Sequence, residues 1–223
     1  EVTTLQILVR AESGQKVGVG HVMRCATLAT ELVDRGHQVA LLHDEIPAFV
    51  ENRLKSGGVE MEVAAHCEVR EVLGQCRPDI VIVDGYSLAD WVVEAAYHEV
   101  CCVVIDDNYE LPVELAALVV NQNLHATGVT YPLSRSRFLL GPKYALLRRE
   151  VVETSSKASV RNPAHVLVAI GGTDPSRLTA PIVRRLANLE EVSTIEVALG
   201  GNHPDWHLLA DMIRNSDGKI RSA

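Results

Sequence analysis

The chain has 223 residues, of which 47% are hydrophobic and 22% charged, and its formal net charge is −8. This is the composition of a globular protein with one large or two small domains. An acidic balance argues against a broad basic surface, so no nucleic-acid partner is expected, and no apolar run approaches the ~18 residues of a membrane span.

Residues 5–9 read as a buried strand. Residues 21–35 have helical spacing, with Val22, Cys25, Ala26, Leu28, Ala29, Leu32 and Val33 on one stripe, and Gly36 stops the helix. Strand 39–42 follows, then a helix opened by Pro47 that runs to about Lys55. Next come strand 59–64, helix 68–76, strand 79–84, helix 88–98, strand 100–105 and a short strand 118–121. The strands are continuous Val/Ile runs without polar alternation, which implies burial on both faces. The order β-α-β-α, repeated, predicts an α/β fold with a Rossmann-like, doubly wound parallel sheet.

Residues 1–153 form the expected first domain. Residues 154–164 are polar and aperiodic and read as a linker. The pattern then restarts over 165–223: strand 165–170, helix 176–188, strand 194–199, helix 204–215 and the start of a strand at Lys219. This second domain is short for an independent α/β unit and reads as incomplete.

The five cysteines are Cys25, Cys67, Cys76, Cys101 and Cys102. An odd count without metal spacing suggests free thiols in a reducing, cytoplasmic setting, and the apolar run around Cys101-Cys102 suggests buried packing. The opening Glu1-Val2-Thr3-Thr4 lacks the charged and apolar regions of a signal peptide. None of the nine histidines has zinc spacing, and no metal or cofactor is expected.

The loop between the first strand and the first helix carries the chemistry. Gly18 and Gly20 let backbone approach a ligand, and the helix N-terminus offers unpaired N–H groups. The spacing G-x-G-H-x-x-R is not the dinucleotide fingerprint, which disfavours nicotinamide redox chemistry. His21, at the mouth of the loop, suits base chemistry: the helix dipole disfavours its imidazolium form. A carboxylate should orient it, and Glu12 in the same loop is a candidate, as is Asp84. Arg24, one turn on, is placed to meet a phosphate or carboxylate. Asp84-Gly85-Tyr86, Asp106-Asp107-Asn108 and Asn121-Gln122-Asn123 all follow strands, where ligand crevices of parallel sheets lie. Tyr86 and Asn123 are candidate sugar contacts. Each of these residues by itself also suits an ordinary turn.

The second domain has its own glycine turn, Gly171-Gly172-Thr173-Asp174, with Asp174 or Thr173 as helix cap and Pro175 in the first turn. It is a second potential phosphate cradle, and Gly200 ends the next strand beside it.

These motifs resemble the UDP-sugar hydrolases of pseudaminic acid biosynthesis, which act on UDP-2,4-diacetamido-2,4,6-trideoxy-β-L-altropyranose, and related spore-coat polysaccharide proteins. The matching pieces are Arg10-x-Glu12-x(5)-Gly18-x-Gly20-His21-x-x-Arg24, Ile105-Asp106-Asp107, Asn121-x-Asn123, Gly141-x-x-Tyr144-x(3)-Arg148-x-Glu150 and Gly171-Gly172-Thr173-Asp174. They occur in the family's order over most of the chain. Glu12 stands where the family often has Asp. The double-glycine loops are shared more widely with two-domain B-type glycosyltransferases.

The resemblance implies a substrate held between two Rossmann-like domains, with Gly171, Gly172, Thr173, Asp174 and Gly200 on the uridine diphosphate side. It adds Arg10, Asp106 and Tyr144 to the substrate-binding residues. It makes His21 the group that activates water at the anomeric carbon, without a metal. The family continues past Ala223, so the second domain is expected to be partial. Glycosyl transfer from a nucleotide-sugar donor and noncatalytic nucleotide-sugar binding are the competing readings.

Overall fold

The computed structural model describes residues 3–14, 17–64, 68–131, 135–154, 164–171, 174–200 and 203–223. Two compact units divide the chain, Glu1–Thr154 and Ser155–Ala223.

The first unit alternates strands and helices. These are β1 (Gln6–Ala11), α1 (Gly20–Asp34), β2 (Gln38–His43), α2 (Ala48–Ser56), β3 (Glu60–Val63), α3 (Val69–Cys76), β4 (Ile80–Asp84), α4 (Ala89–Tyr97), β5 (Cys101–Ile105), β6 (Leu118–Asn121), β7 (Arg137–Leu140) and the short α5 (Arg149–Glu153). The seven strands are parallel, in the order β3-β2-β1-β4-β5-β6-β7.

Alternate side chains of each strand enter two cores on opposite faces. On one face Ile7 and Val9 of β1 pack with Val22, Cys25 and Ala29 of α1 and with Val50 and Leu54 of α2. On the other, Leu8 packs with Val81 and Val83 of β4, Leu73 of α3, and Trp91 and Val92 of α4. That two-sided burial is why the strands read as unbroken apolar runs. It also separates Cys101, exposed at the start of β5, from its buried neighbour Cys102. The expectation that both are packing residues therefore holds for Cys102 alone, whose thiol is pushed up to about 12 by burial. Among the described residues Cys25, Cys76, Cys101 and Cys102 are free thiols; Cys67 lies outside them.

Gly36 ends α1 as expected. Its φ of +89° lets its own N–H reach the Val33 carbonyl (2.9 Å), while the His37 N–H reaches Leu32 (3.1 Å), a Schellman closure. Strand β7 and helix α5 escape the sequence reading. Each is four or five residues long, and the burial of β7 shows neither alternation nor a fully apolar run.

The second unit contains β8 (His165–Val168), α6 (Thr179–Ala187), β9 (Thr194–Val197), α7 (Trp206–Arg214) and β10 (Ile220–Ser222), with a parallel sheet in the order β10-β9-β8. Its core joins Val168, Ile195, Val197 and Ile220 of the strands to Val183 of α6 and Leu209 of α7. Helix α6 begins at Thr179, three residues later than the predicted 176. Asp174 and Arg177 have positive φ (+35° and +52°), which keeps the segment between them out of the helix.

Candidate functional site

The sheet order reverses beside β1. From β1 the chain moves outward to β2 and β3, then returns to add β4 on the other edge of β1. At such a reversal successive loops leave toward opposite faces, and a crevice opens beyond the carboxyl ends of the strands. The loop after β1, the start of α1 and the end of β4 all meet there.

At the centre is Asp84, the last residue of β4, which is 0% exposed. Its Oδ1 lies 2.6 Å from His21 Nδ1 and accepts from Arg24 Nη2 at 2.5 Å; its Oδ2 accepts from Arg24 Nε at 2.6 Å and from Cys25 Sγ at 3.3 Å. His21, Arg24 and Cys25 come to one point because spacings of three and four place them on one face of α1. Burial disfavours charge on Asp84, but the hydrogen bonds from Arg24 and His21 outweigh it and hold the carboxyl below the usual range. Burial likewise penalises Arg24, yet its bonds to Asp84 and Asp107 raise the guanidinium above its already high value. Burial pushes the Cys25 thiol far up, so it acts as a neutral donor.

An ionised carboxylate can only accept, so His21 Nδ1 carries the shared hydrogen and, in the neutral ring, Nε2 keeps a lone pair. Nε2 makes no hydrogen bond among the described residues, and it is not among the buried polar atoms without a partner. It therefore borders open space, although the His21 residue as a whole is only 5% exposed. The Tyr86 ring stands edge-on to the imidazole, with centroids 4.6 Å apart. Burial, then the nearby charge of Asp107, raises the Tyr86 phenol above its usual value.

Among the described residues Glu12 makes no hydrogen bond to the imidazole. Its Oε2 accepts the N–H groups of Tyr86 (2.5 Å) and Ser87 (3.2 Å), and its Oε1 accepts the Ser87 hydroxyl (2.8 Å). The carboxylate that orients His21 is Asp84. Glu12 instead fixes the 85–87 turn, where a Cβ on Gly85 would lie 2.5 Å from Glu12 Cβ.

Beyond Asp84 the polar groups form a chain along the strand ends. Arg24 Nη1 donates to Asp107 Oδ1 (2.9 Å), and Nη2 lies 2.9 Å from Asp107 Oδ2. Asn123 Nδ2 donates to Asp107 Oδ1 (2.7 Å) and to Asn121 Oδ1 (3.1 Å). Asn121 Nδ2 donates to the Tyr131 hydroxyl (3.0 Å), which donates to Asp106 Oδ2 (3.2 Å). Asp106 also accepts the N–H groups of Tyr109 and Glu110, so it ties down its own turn. Asp107 stood in the Asp106-Asp107-Asn108 segment without a role of its own, and Tyr131, a lone tyrosine in a loop, carried no signal in the sequence.

The remaining predicted residues divide. Gly18 (φ +83°) pairs with Gly14 in a short antiparallel bridge, Gly18 N–H to Gly14 carbonyl at 2.7 Å. Gly20 opens α1, and nothing lies within 4 Å of where its Cβ would be. Arg10 is buried away from the cluster, with Nη2 on Asp44 Oδ1 (2.8 Å) and Nη1 on its neighbour's carbonyl. Asp44 is thus already held by a cation. Tyr144 ends a short 3-10 turn under Lys143, whose Nζ is 4.7 Å from the ring centroid, and makes no hydrogen bond to the cluster among the described residues.

In the second unit Asp174 is 1% exposed. Its carboxylate accepts the N–H groups of Leu178 (3.0 Å) and Thr179 (2.8 Å), so it closes the N-terminus of α6 with its own charge. Burial disfavours its charge, but hydrogen bonding from the Thr179 side chain and then from these N–H groups holds Asp174 below the usual carboxylate range. His203 Nδ1 accepts the Asp205 N–H (3.1 Å), which leaves Nε2–H facing Thr179 Oγ1 (3.2 Å) and Asp174 Oδ2 (3.4 Å). Gly171 has φ +78° and open space at its Cβ position, and the Gly200 carbonyl accepts the His203 N–H (3.0 Å). Gly172 and Thr173 lie outside the described residues.

Two curated relatives and many solved structures are similar to this chain. An uncharacterized protein of Methanocaldococcus jannaschii is 23% identical over 207 residues, 88% of this chain and 43% of that protein, so the chain spans less than half its length. The UDP-2,4-diacetamido-2,4,6-trideoxy-β-L-altropyranose hydrolase of Campylobacter jejuni is 22% identical over 209 residues, 90% of this chain and 72% of that enzyme. A glycosyltransferase from Rickettsia africae aligns over 100% of this chain and 68% of its own with a TM-score of 0.58 at 12% identity. No family model matches. The fold is the Rossmann-like α/β fold of the B-type glycosyltransferases.

Proposed function

We propose that the chain belongs to a hydrolase that cleaves a UDP-linked deoxy-diacetamido sugar to UDP and the free sugar, with His21 as the general base. One observation carries the reading: a histidine oriented through Nδ1 by a fully buried carboxylate, with Nε2 facing open space at the sheet's reversal point. In the reaction, Nε2 takes a proton from water, the water oxygen bonds to the anomeric carbon, and the bond to the diphosphate breaks. UDP leaves with the electron pair, and the anomeric centre inverts.

Asp84 is the orienting partner, since it fixes the tautomer and stabilises the ring once protonated. Tyr86, set by Glu12, and Asn123, set by Asp107, are the candidate sugar contacts. Gly20, with open space at its Cβ position, and Gly18 are candidates for the sugar side of the substrate. For the nucleotide, Gly171, Gly172, Thr173 and Gly200 are the candidates; Asp174 serves them as a fixed cap. The Campylobacter enzyme's name supports the substrate class.

The glycosyltransferase likeness favours a second reading, in which a sugar hydroxyl replaces water. Incubating the donor alone in ¹⁸O-labelled water separates the two. Hydrolysis predicts UDP release without any acceptor and the label on the sugar's anomeric hydroxyl. Strict dependence on an added sugar acceptor, or label in the UDP, defeats the hydrolase reading.

A further inference from the structure

Arg24 lies one turn from the base, where a substrate ligand is expected, yet its donors are taken up by protein. Nε and Nη2 bind the two oxygens of Asp84, and Nη1 and Nη2 meet the two oxygens of Asp107. Its side chain is 12% exposed, too enclosed between two carboxylates to turn toward a phosphate.

This arrangement answers a difficulty in the base reading. A wholly buried carboxylate 2.6 Å from Nδ1 favours the imidazolium, and an imidazolium cannot take a proton from water. The charged and titratable groups around the ring are few. Helix α1 supplies Arg24 and the neutral thiol of Cys25, β4 supplies Asp84, and the turn after it supplies the Tyr86 phenol. The loop after β5 supplies Asp107 through Arg24, and the Glu12 carboxylate after β1 is turned onto the 86–87 amides. Among the described residues of this set, Arg24 is the one cation.

We propose that Arg24 is a positioning residue, the counter-ion that lets Asp84 orient His21 while leaving the ring uncharged and ready to accept a proton. Asp107 is the opposing weight: it draws part of the Arg24 charge away from Asp84. The inference rests on the reading of His21 as the base.

The two roles predict shifts of opposite sign, which structural damage alone would not produce. The test is a pH titration of the His21 ring, followed by imidazole NMR on the full chain labelled with ¹⁵N-histidine, in wild type, Arg24→Gln and Asp107→Asn. Loss of Arg24 should move the ring's titration up by roughly one to three pH units. Asp107→Asn, nearly isosteric and less buried, should move it down by a smaller amount. Arg24→Lys, which keeps the charge and loses the fork, should restore most of the wild-type curve. The acid limb of UDP release should follow in the same directions. Unmoved titrations, or shifts of the same sign in both variants, overturn the proposal. The NMR readout does not need turnover. Opposite shifts in a chain that releases no UDP would sustain the counter-ion and sink the base, while UDP release with an unmoved titration would do the reverse.

Discussion

Each unit buries a carboxylate at the end of a strand or turn, and the two are held differently. Asp84 is satisfied by side chains, an arginine fork, an imidazole and a thiol, from a helix that crosses to it from β1. Asp174 is satisfied mostly within five residues of itself, by the N–H groups of Leu178 and Thr179 and the Thr179 side chain, with His203 Nε2 3.4 Å away. The first arrangement links separate elements and leaves one basic nitrogen free. The second is local and self-contained, with its histidine's donor turned inward onto Thr179 and Asp174. A buried charge held by side chains can support chemistry, because those side chains have other atoms to offer. One held by amides makes a cap.

The comparison breaks most visibly at Asp84. Asp84→Asn leaves Arg24 without its buried counter-charge, so it should cost about 3–5 kcal/mol of first-unit stability in a denaturant melt. By the precedent of triad aspartates it should also lower turnover by a factor on the order of 10⁴. An intact protein with near-normal turnover would remove Asp84 from the account.

Asp174→Ala should cost about 1–2 kcal/mol, the usual loss of a helix cap, and should leave the His21 ring unchanged by NMR. A change at His21 would mean that the cap is not local.

Both carboxyls are depressed in the folded state, which gives a pH test with a definite sign. Their stabilisation is complete above the ordinary carboxylate value and is lost as pH falls through the depressed folded-state values. Wild type should therefore lose stability more steeply than Asp84→Asn or Asp174→Ala on acidification below about pH 4. Parallel acid melts would show that neither carboxylate carries the linkage.

The smallest effect is expected at Glu12. Glu12→Gln keeps the side chain's shape and weakens the clamp on the 85–87 turn, costing about 1 kcal/mol. The loss should appear as faster amide exchange at Tyr86 and Ser87.

The fold was legible because strand runs and helical stripes follow from burial, and burial on two faces leaves an unbroken signature. Strand β7, neither alternating nor fully apolar, fell below that signal, whereas β6, equally short, did not. Much of the site was legible by type: His21 at a helix start, Asp84 and Asn123 at strand ends. Their pairing was left between two candidates, Glu12 and Asp84. Sequence nearness favours Glu12 as the partner of His21, but β4 joins β1 across the sheet and brings Asp84, 63 positions away, to Nδ1. Arg24 reads as a free cation on a helix until Asp84 and Asp107 are both seen around it. Those contacts follow from strand order, which no local pattern encodes.

The most direct measurement is UDP release by His21→Asn, alongside calorimetric binding of the uncleaved UDP-sugar. Asn keeps a donor for Asp84 and has no ring nitrogen to accept a proton. If His21 is the base, binding survives while turnover disappears; turnover close to wild type would show that it is not.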